Sequence, residues 1–177
     1  MVCRGRAGCA SSVAQAKEAL KPTFVRRHQN LLGVPTRLRN RRKNRAFRRQ
    51  GEWFFVPASA LGRDPINEKF ILRNEPLRRG AGKAHIVEEL YRVGGELVYV
   101  CPKYPNAVSE GRYRQLLQNK PSAAQWGWQT LRRNPRVYAR GGVRHSDHAT
   151  ITLPDWHRVV LNTETETETM RNVAFID

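Results

Sequence analysis

The chain has 177 residues, 40% of them apolar, and its 32 Lys+Arg against 15 Asp+Glu give a formal net charge of +17. The length suits one domain of ordinary size with a modest core and tails, and a mean hydropathy of −0.65 leaves much of it solvated. No apolar run approaches a membrane span, and three cysteines (Cys3, Cys9, Cys101) with no C-x-x-C argue against a disulfide framework or a Cys-based zinc site.

In chain order, "MVCRGRAGCASSVAQA" has no apolar h-region, so no secretory signal is expected. Its Arg/Ser/Ala-rich, acid-poor composition suits an organelle transit peptide as well as a basic tail, and the cytoplasm is the expected location. Ser12 to Leu20 reads as a short helix stopped before Pro22, and Phe24 to Leu32 as another stopped by Gly33 and Pro35. "TRLRNRRKNRAFRRQ", residues 36 to 50, offers only Leu38, Ala46 and Phe47 as apolar residues, so it reads as a solvated helix or a segment that orders on binding. At "EWFFVP" the character changes: Trp53 to Val56 reads as a buried strand ended by Pro57, and a boundary is placed near Gly51. "KFILRN" is a second strand. "KAHIVEELYRVGG", with Ile86, Leu90 and Val93 at i, i+4, i+7, reads as a helix capped by Gly94 and Gly95, or else as a hairpin turning on the two glycines. The strand "ELVYVC" follows, then a helix N-capped by Ser109. "SAAQWGWQTLRRNP" reads as a further helix, opened by a Ser122-x-x-Gln125 capping box and closed by cations before Pro135. Strands Val137–His145 and His148–Leu153 then form a meander, and the chain ends in the Thr/Glu alternation "TETETETMRNVAFID". The expected fold is α+β: a basic arm over 1–50, a small globular domain over 51–162 with antiparallel strands and several short helices, and an acidic tail over 163–177.

The charge is concentrated. Residues 1–50 hold 14 Lys/Arg and one acid, Glu18, while the remaining residues hold 18 against 14. Arg makes up 25 of the 32 cations, as a GC-rich genome would favour, but codon bias does not explain why one stretch carries the excess. That asymmetry points to a polyanionic partner, nucleic acid before membrane. "TRLRNRRKNRAFRRQ" resembles the arginine-rich peptides of viral and phage RNA-binding proteins, with Arg37, Arg39, Arg41, Arg42, Arg45, Arg48 and Arg49 as the matching cations and Lys43 among them. The resemblance implies bidentate phosphate contacts, stacking on bases and counterion release. On the body, Arg78, Arg79, Lys83, Arg132, Arg133, Arg136, Arg140 and Arg144 recur near Tyr138, Trp126 and Trp128, a combination suited to single strands or RNA. At least one of the two tryptophans is expected in the core.

"VRHSDHATITLPDWHRVVLN" gathers His145, His148 and His157 with Asp147 and Asp155. A two-residue turn at Ser146-Asp147 sets His145 opposite His148. A second turn at Pro154-Asp155 would leave His157 roughly 13 Å from His148 along the strand, whereas zinc–nitrogen bonds of about 2.0–2.1 Å keep ligand nitrogens within about 4 Å of one another. The meander alone therefore supplies no three-ligand set; His145, Asp147 and His148 are metal candidates only if His85 or Cys101 completes them. The favoured reading is turn hydrogen bonds and cross-strand pairs. Other matches fail: "RRGAGKAH" has Leu77 and Ala84 where a P-loop needs Gly and Ser/Thr. "HATI" has no second copy, as two-histidine phosphoesterases require. Glu88 and Glu89, adjacent on a helix, would point about 100° apart and stay solvated.

The leading expectation is a nucleic-acid-binding accessory protein, on RNA or DNA and not a membrane, with no cofactor. Site residues are Arg37, Arg39, Arg41, Arg42, Lys43, Arg45, Arg48, Arg49, Arg132, Arg133, Arg136 and Arg140. The alternatives are a divalent-metal nuclease or phosphodiesterase built on His145, Asp147 and His148, and a module of a larger protein complex in which the acidic tail opposes the basic arm.

Overall fold

A computed structural model describes residues 12–61, 66–78 and 82–162. Cys3, Cys9, Arg79 and the tail 163–177 lie outside the described residues. The α+β class is observed, with antiparallel strands throughout. Four α-helices are present among the described residues: α1 (Val13–Ala19), α2 (Thr23–Leu31), α3 (Thr36–Arg39) and α4 (Glu110–Asn119). The first strands are β1 (Arg48–Gln50), β2 (Trp53–Pro57), β3 (Leu72–Leu77), β4 (His85–Val93) and β5 (Glu96–Cys101). They are followed by β6 (Tyr104–Ser109), β7 (Gln129–Arg133), β8 (Arg136–His145) and β9 (His148–Leu161). No described helix is long and apolar enough to cross a membrane. The described residues form two compact units: those up to Tyr91 with Val137 to Asn162, and Arg92–Arg136.

The first unit is built on a six-stranded sheet in the order β1-β2-β9-β8-β4-β3. Its organising strand is β2. Phe55 enters a cluster with Leu77, Val87, Leu90, Ala139, Val143 and Leu153. Phe54 and Val56, on the opposite face, pack with Val25, Val34, Ala46 and Phe47. The unbroken apolar run of "WFFV" thus has a physical cause: a strand covered on both faces has no solvated side on which to place polar residues.

The second cover comes from residues expected to bury nothing. Only α3 is helical within 36–50; the rest is a loop and β1, and Ala46 and Phe47 are fully buried. Gly51 lies in the tight turn between β1 and β2, paired Gln50↔Trp53, so chain packing runs continuously through that position. Charge composition hid this, because two well-placed apolar residues suffice when helices α1 and α2 supply the rest. Lys21, 2% exposed, fastens the helices together: its Nζ contacts Glu18, donates to Gln29 Oε1 at 3.2 Å and to the Arg39 carbonyl at 2.7 Å.

Three further expectations change. Residues 85–93 form β4, lying between β3 and β8, so the helix gives way to the alternative strand reading: Gly94 and Gly95 join β4 to β5, but the two strands belong to different sheets and do not pair as a hairpin. Glu88 and Glu89 consequently face opposite sides, Glu88 accepting the Gly142 amide at 2.6 Å and Glu89 accepting Arg140 Nε at 2.5 Å. No turn forms at Pro154-Asp155. Instead β9 runs fourteen residues, with an irregularity against β8 between Leu153 and His157 that absorbs the proline.

In the second unit β5 is central in the order β6-β5-β7, and Val98, Cys101, Ala123 and Leu131 are buried. The expected helix over 122–134 is a 3-10 turn, Pro121–Gln125, followed by β7. Gly127 at φ +69° ends the turn in the left-handed region, and Trp128 Nε1 donates back to the Ala123 carbonyl at 2.8 Å.

Candidate functional site

The Ser146-Asp147 turn sets His145 opposite His148, as the spacing required. His85, the first residue of β4, joins them from the strand next to β8, so three neighbouring strands each bring one imidazole to the same end of the sheet. The His85 and His145 ring centroids are 4.2 Å apart, His145 and His148 4.6 Å, and His85 and His148 5.9 Å. One nitrogen from each ring can be chosen so that all three lie within 4.8 Å of one another. The pairing of His145 with His148 was legible in sequence. His85 was a named completion, but reading its segment as a helix gave no reason to place it here; taking His85 and Val87 as alternate inward strand positions would have done so.

His85 is 1% exposed, and neither of its ring nitrogens has a protein hydrogen-bond partner. Such orphaned buried groups are rare and call for a physical cause. Burial first, then the neighbouring His145, pushes its pKa down to about 4, so it is neutral at pH 7. His145 and His148 are half-buried. The Asp147 amide donates to His145 Nδ1 at 3.0 Å, which places the proton of the neutral ring on Nε2. Asp147 itself, one of the metal candidates, points away: its exposed carboxylate pairs with Lys83 at 2.8 Å, and that bond, with Ser146, holds it below the usual carboxylate range. Cys101 is buried in β5 and is not a member of the cluster. His157, buried in β9, pairs with Ala139 and donates from Nδ1 to the Asp155 carbonyl at 2.6 Å.

Gly51 roofs the cluster. At φ +57°, a Cβ on it would come 3.1 Å from His85 Nε2 and 3.4 Å from His148 Nε2. Only glycine combines that conformation with that clearance. The turn is anchored to the histidine hairpin by Gln50, whose buried Nε2 donates to Ala149 O at 2.6 Å and Val143 O at 3.3 Å, and by Arg48, donating to Thr152 O at 2.8 Å. Beside Gly51 opens a cavity of about 460 Å³ lined by Lys17, Arg42, Arg49, Glu52 and His148, among others.

The arm cations divide into two sets. Arg39 pairs with Glu18 at 3.2 Å and donates to Asn30 Oδ1 at 2.7 Å. Arg48 and Arg49 are half-buried, Arg49 donating to Gly51 O at 2.8 Å while lying over the Phe54 ring. Arg37, Arg41, Arg42, Lys43 and Arg45 are exposed, and none forms an ion pair with a described residue. On the body, Arg140 is held by Glu89 and stacks on Trp156 at 4.8 Å, and Arg133 pairs with Glu96 and donates to Asn106 O. Arg132 and Arg136 are exposed.

Tyr138 is buried, so it offers no stacking surface. Neither Trp126 nor Trp128 enters the core: both are half-buried and stack with Tyr104, at 6.0 and 5.8 Å, beneath Lys103 Nζ at 4.2 Å from Trp126. Compared with protein-family models, curated proteins and solved structures, the chain finds no match.

Proposed function

We propose that the protein binds nucleic acid through the phosphate backbone, with Arg37, Arg41, Arg42, Lys43 and Arg45 as the principal contacts. One observation carries this reading: five cations stand exposed within nine residues, and none is ion-paired with a described carboxylate; Glu18 is engaged by Lys21 and Arg39, and Glu52 lines the cavity beside Arg42. Guanidinium groups so placed exchange condensed counterions for phosphates. Arg132 and Arg136, both exposed, are included as contacts on the body. Backbone contacts of this kind read little sequence.

Binding measured against salt tests the proposal. If the five cations reach phosphates, log K falls with log salt at a slope of about −4 to −5 on duplex, and less steeply on single strands. Binding that is indifferent to salt would refute it.

A second reading, metal-dependent hydrolysis of the bound phosphodiester, is favoured by His148 lining the same cavity as Arg42 and Arg49. Cleavage abolished by a chelator and restored by zinc or manganese would support it; an intact strand under both conditions would exclude it.

A further inference from the structure

We infer that His85, His145 and His148 form a binding site for one divalent transition-metal ion of the zinc type. The inference rests on the histidines alone and is independent of nucleic-acid binding. Three observations converge. The ligand nitrogens already lie within 4.8 Å of one another, on strand ends rather than on loops. His85, almost wholly buried, holds two nitrogens with no protein partner. The Nε2 atoms of His85 and His148 border one clearance that any side chain at position 51 would fill.

The donor set selects the class of ion. Three neutral imidazoles with no carboxylate suit zinc, and also nickel or copper, whereas magnesium and calcium require oxygen. Three histidines with a fourth position open is the arrangement of a zinc ion that keeps a water or substrate oxygen. Here the open side is the cavity that His148 shares with Lys17, Arg42, Arg49 and the carboxylate of Glu52; three cations outnumber the one acid, so an anionic oxygen is the complementary fourth ligand.

Metal loading has a structural signature. Nitrogens sharing one ion lie within about 4 Å of each other, and those of the cluster already lie within 4.8 Å. A neutral imidazole bound to metal through one nitrogen carries its proton on the other, so His145 Nδ1 can no longer accept the Asp147 amide. Binding therefore exchanges that hydrogen bond, and the Ser146-Asp147 turn reports it.

The test uses the full chain, stripped with a chelator, dialysed against zinc and submitted to elemental analysis. One zinc per chain is expected, with three nitrogen scatterers at about 2.0–2.1 Å by X-ray absorption, and with a shift of the Asp147 amide resonance as zinc is added. His85 is too buried for its alanine variant to be decisive, so His148→Ala and His145→Ala carry the comparison. Each should lose stoichiometric zinc while keeping the parent's far-ultraviolet circular dichroism, and Asp147→Asn should retain it. The inference is overturned if the parent takes up no zinc, if His148→Ala takes up as much as the parent, or if a sulfur scatterer at about 2.3 Å shows the ion to be held by cysteine.

Discussion

The cations of residues 36–50 and those of the later chain are chemically alike but differ in what surrounds them. In the first stretch one carboxylate, Glu18, serves Lys21 and Arg39, and five cations outside its reach remain exposed. In the later chain, carboxylates meet cations repeatedly: Glu89 with Arg140 and Arg73, Asp147 with Lys83, Glu96 with Arg133, and Glu110 with Arg114. Surface pairs of this kind add only about 0–1 kcal/mol each to stability, but they cancel the local field a polyanion would follow. Net charge alone does not locate a binding face. What locates it is the set of exposed cations that no described carboxylate engages.

The comparison can be broken most forcefully at Phe47, where the basic stretch is also core. Phe47 is 2% exposed and meets Phe54 edge-on, with ring centroids 4.9 Å apart. Phe47→Ala should cost about 3–5 kcal/mol by chemical denaturation; a loss below about 1 kcal/mol would mean the stretch is an independent arm after all. A smaller effect follows from acid. Burial lowers the pKa values of His28 in the helical cover and of His157 and His85 in the sheet, His85 to about 4. A histidine depressed below its unfolded value of 6.5 binds fewer protons when folded, so the stability it confers is present above pH 6.5 and is lost as pH falls toward 4. The melting temperature of chelator-treated protein should decline through that window, and a flat profile would show the imidazoles to be solvated. The smallest effect on stability, and the sharpest on binding, is expected from replacing Arg41, Arg42 and Arg45 with Gln. Melting should hold within about 0.5 kcal/mol, while the salt slope flattens by about 2 to 3. Arg140→Gln, removing a cation that Glu89 already holds, should leave the slope unchanged.

The parts legible in sequence were those set by local chemistry. Ser12 and Ser109 cap their helices, accepting from Gln15 and Arg112 amides. The spacing of His145 and His148 across a two-residue turn fixed their pairing. What escaped was set by distant partners. Residues 85–93 and 129–133 satisfy helical patterns locally and become strands because β3, β8 and β5 offer them ladders. His85 was therefore named only as one possible completion beside Cys101, and the role of Gly51 was invisible, since a glycine in a turn gives no sign of what lies beneath it. The cover over β2 was missed for the same reason: Val25, Val34, Ala46 and Phe47 converge only in three dimensions.

Strand β1 also matters for solubility. It is three residues long, carries Arg48 and Arg49, and occupies the outer edge of the sheet next to β2. Short, charged edge strands deter sheets from pairing with one another. Behind it runs Trp53–Pro57, an apolar strand whose outer hydrogen-bonding groups β1 satisfies. A cut ahead of Gly51 would expose that strand as an open edge. Proteolytic loss of the basic stretch should then yield not a trimmed, neutral domain but a species that associates edge to edge and leaves solution.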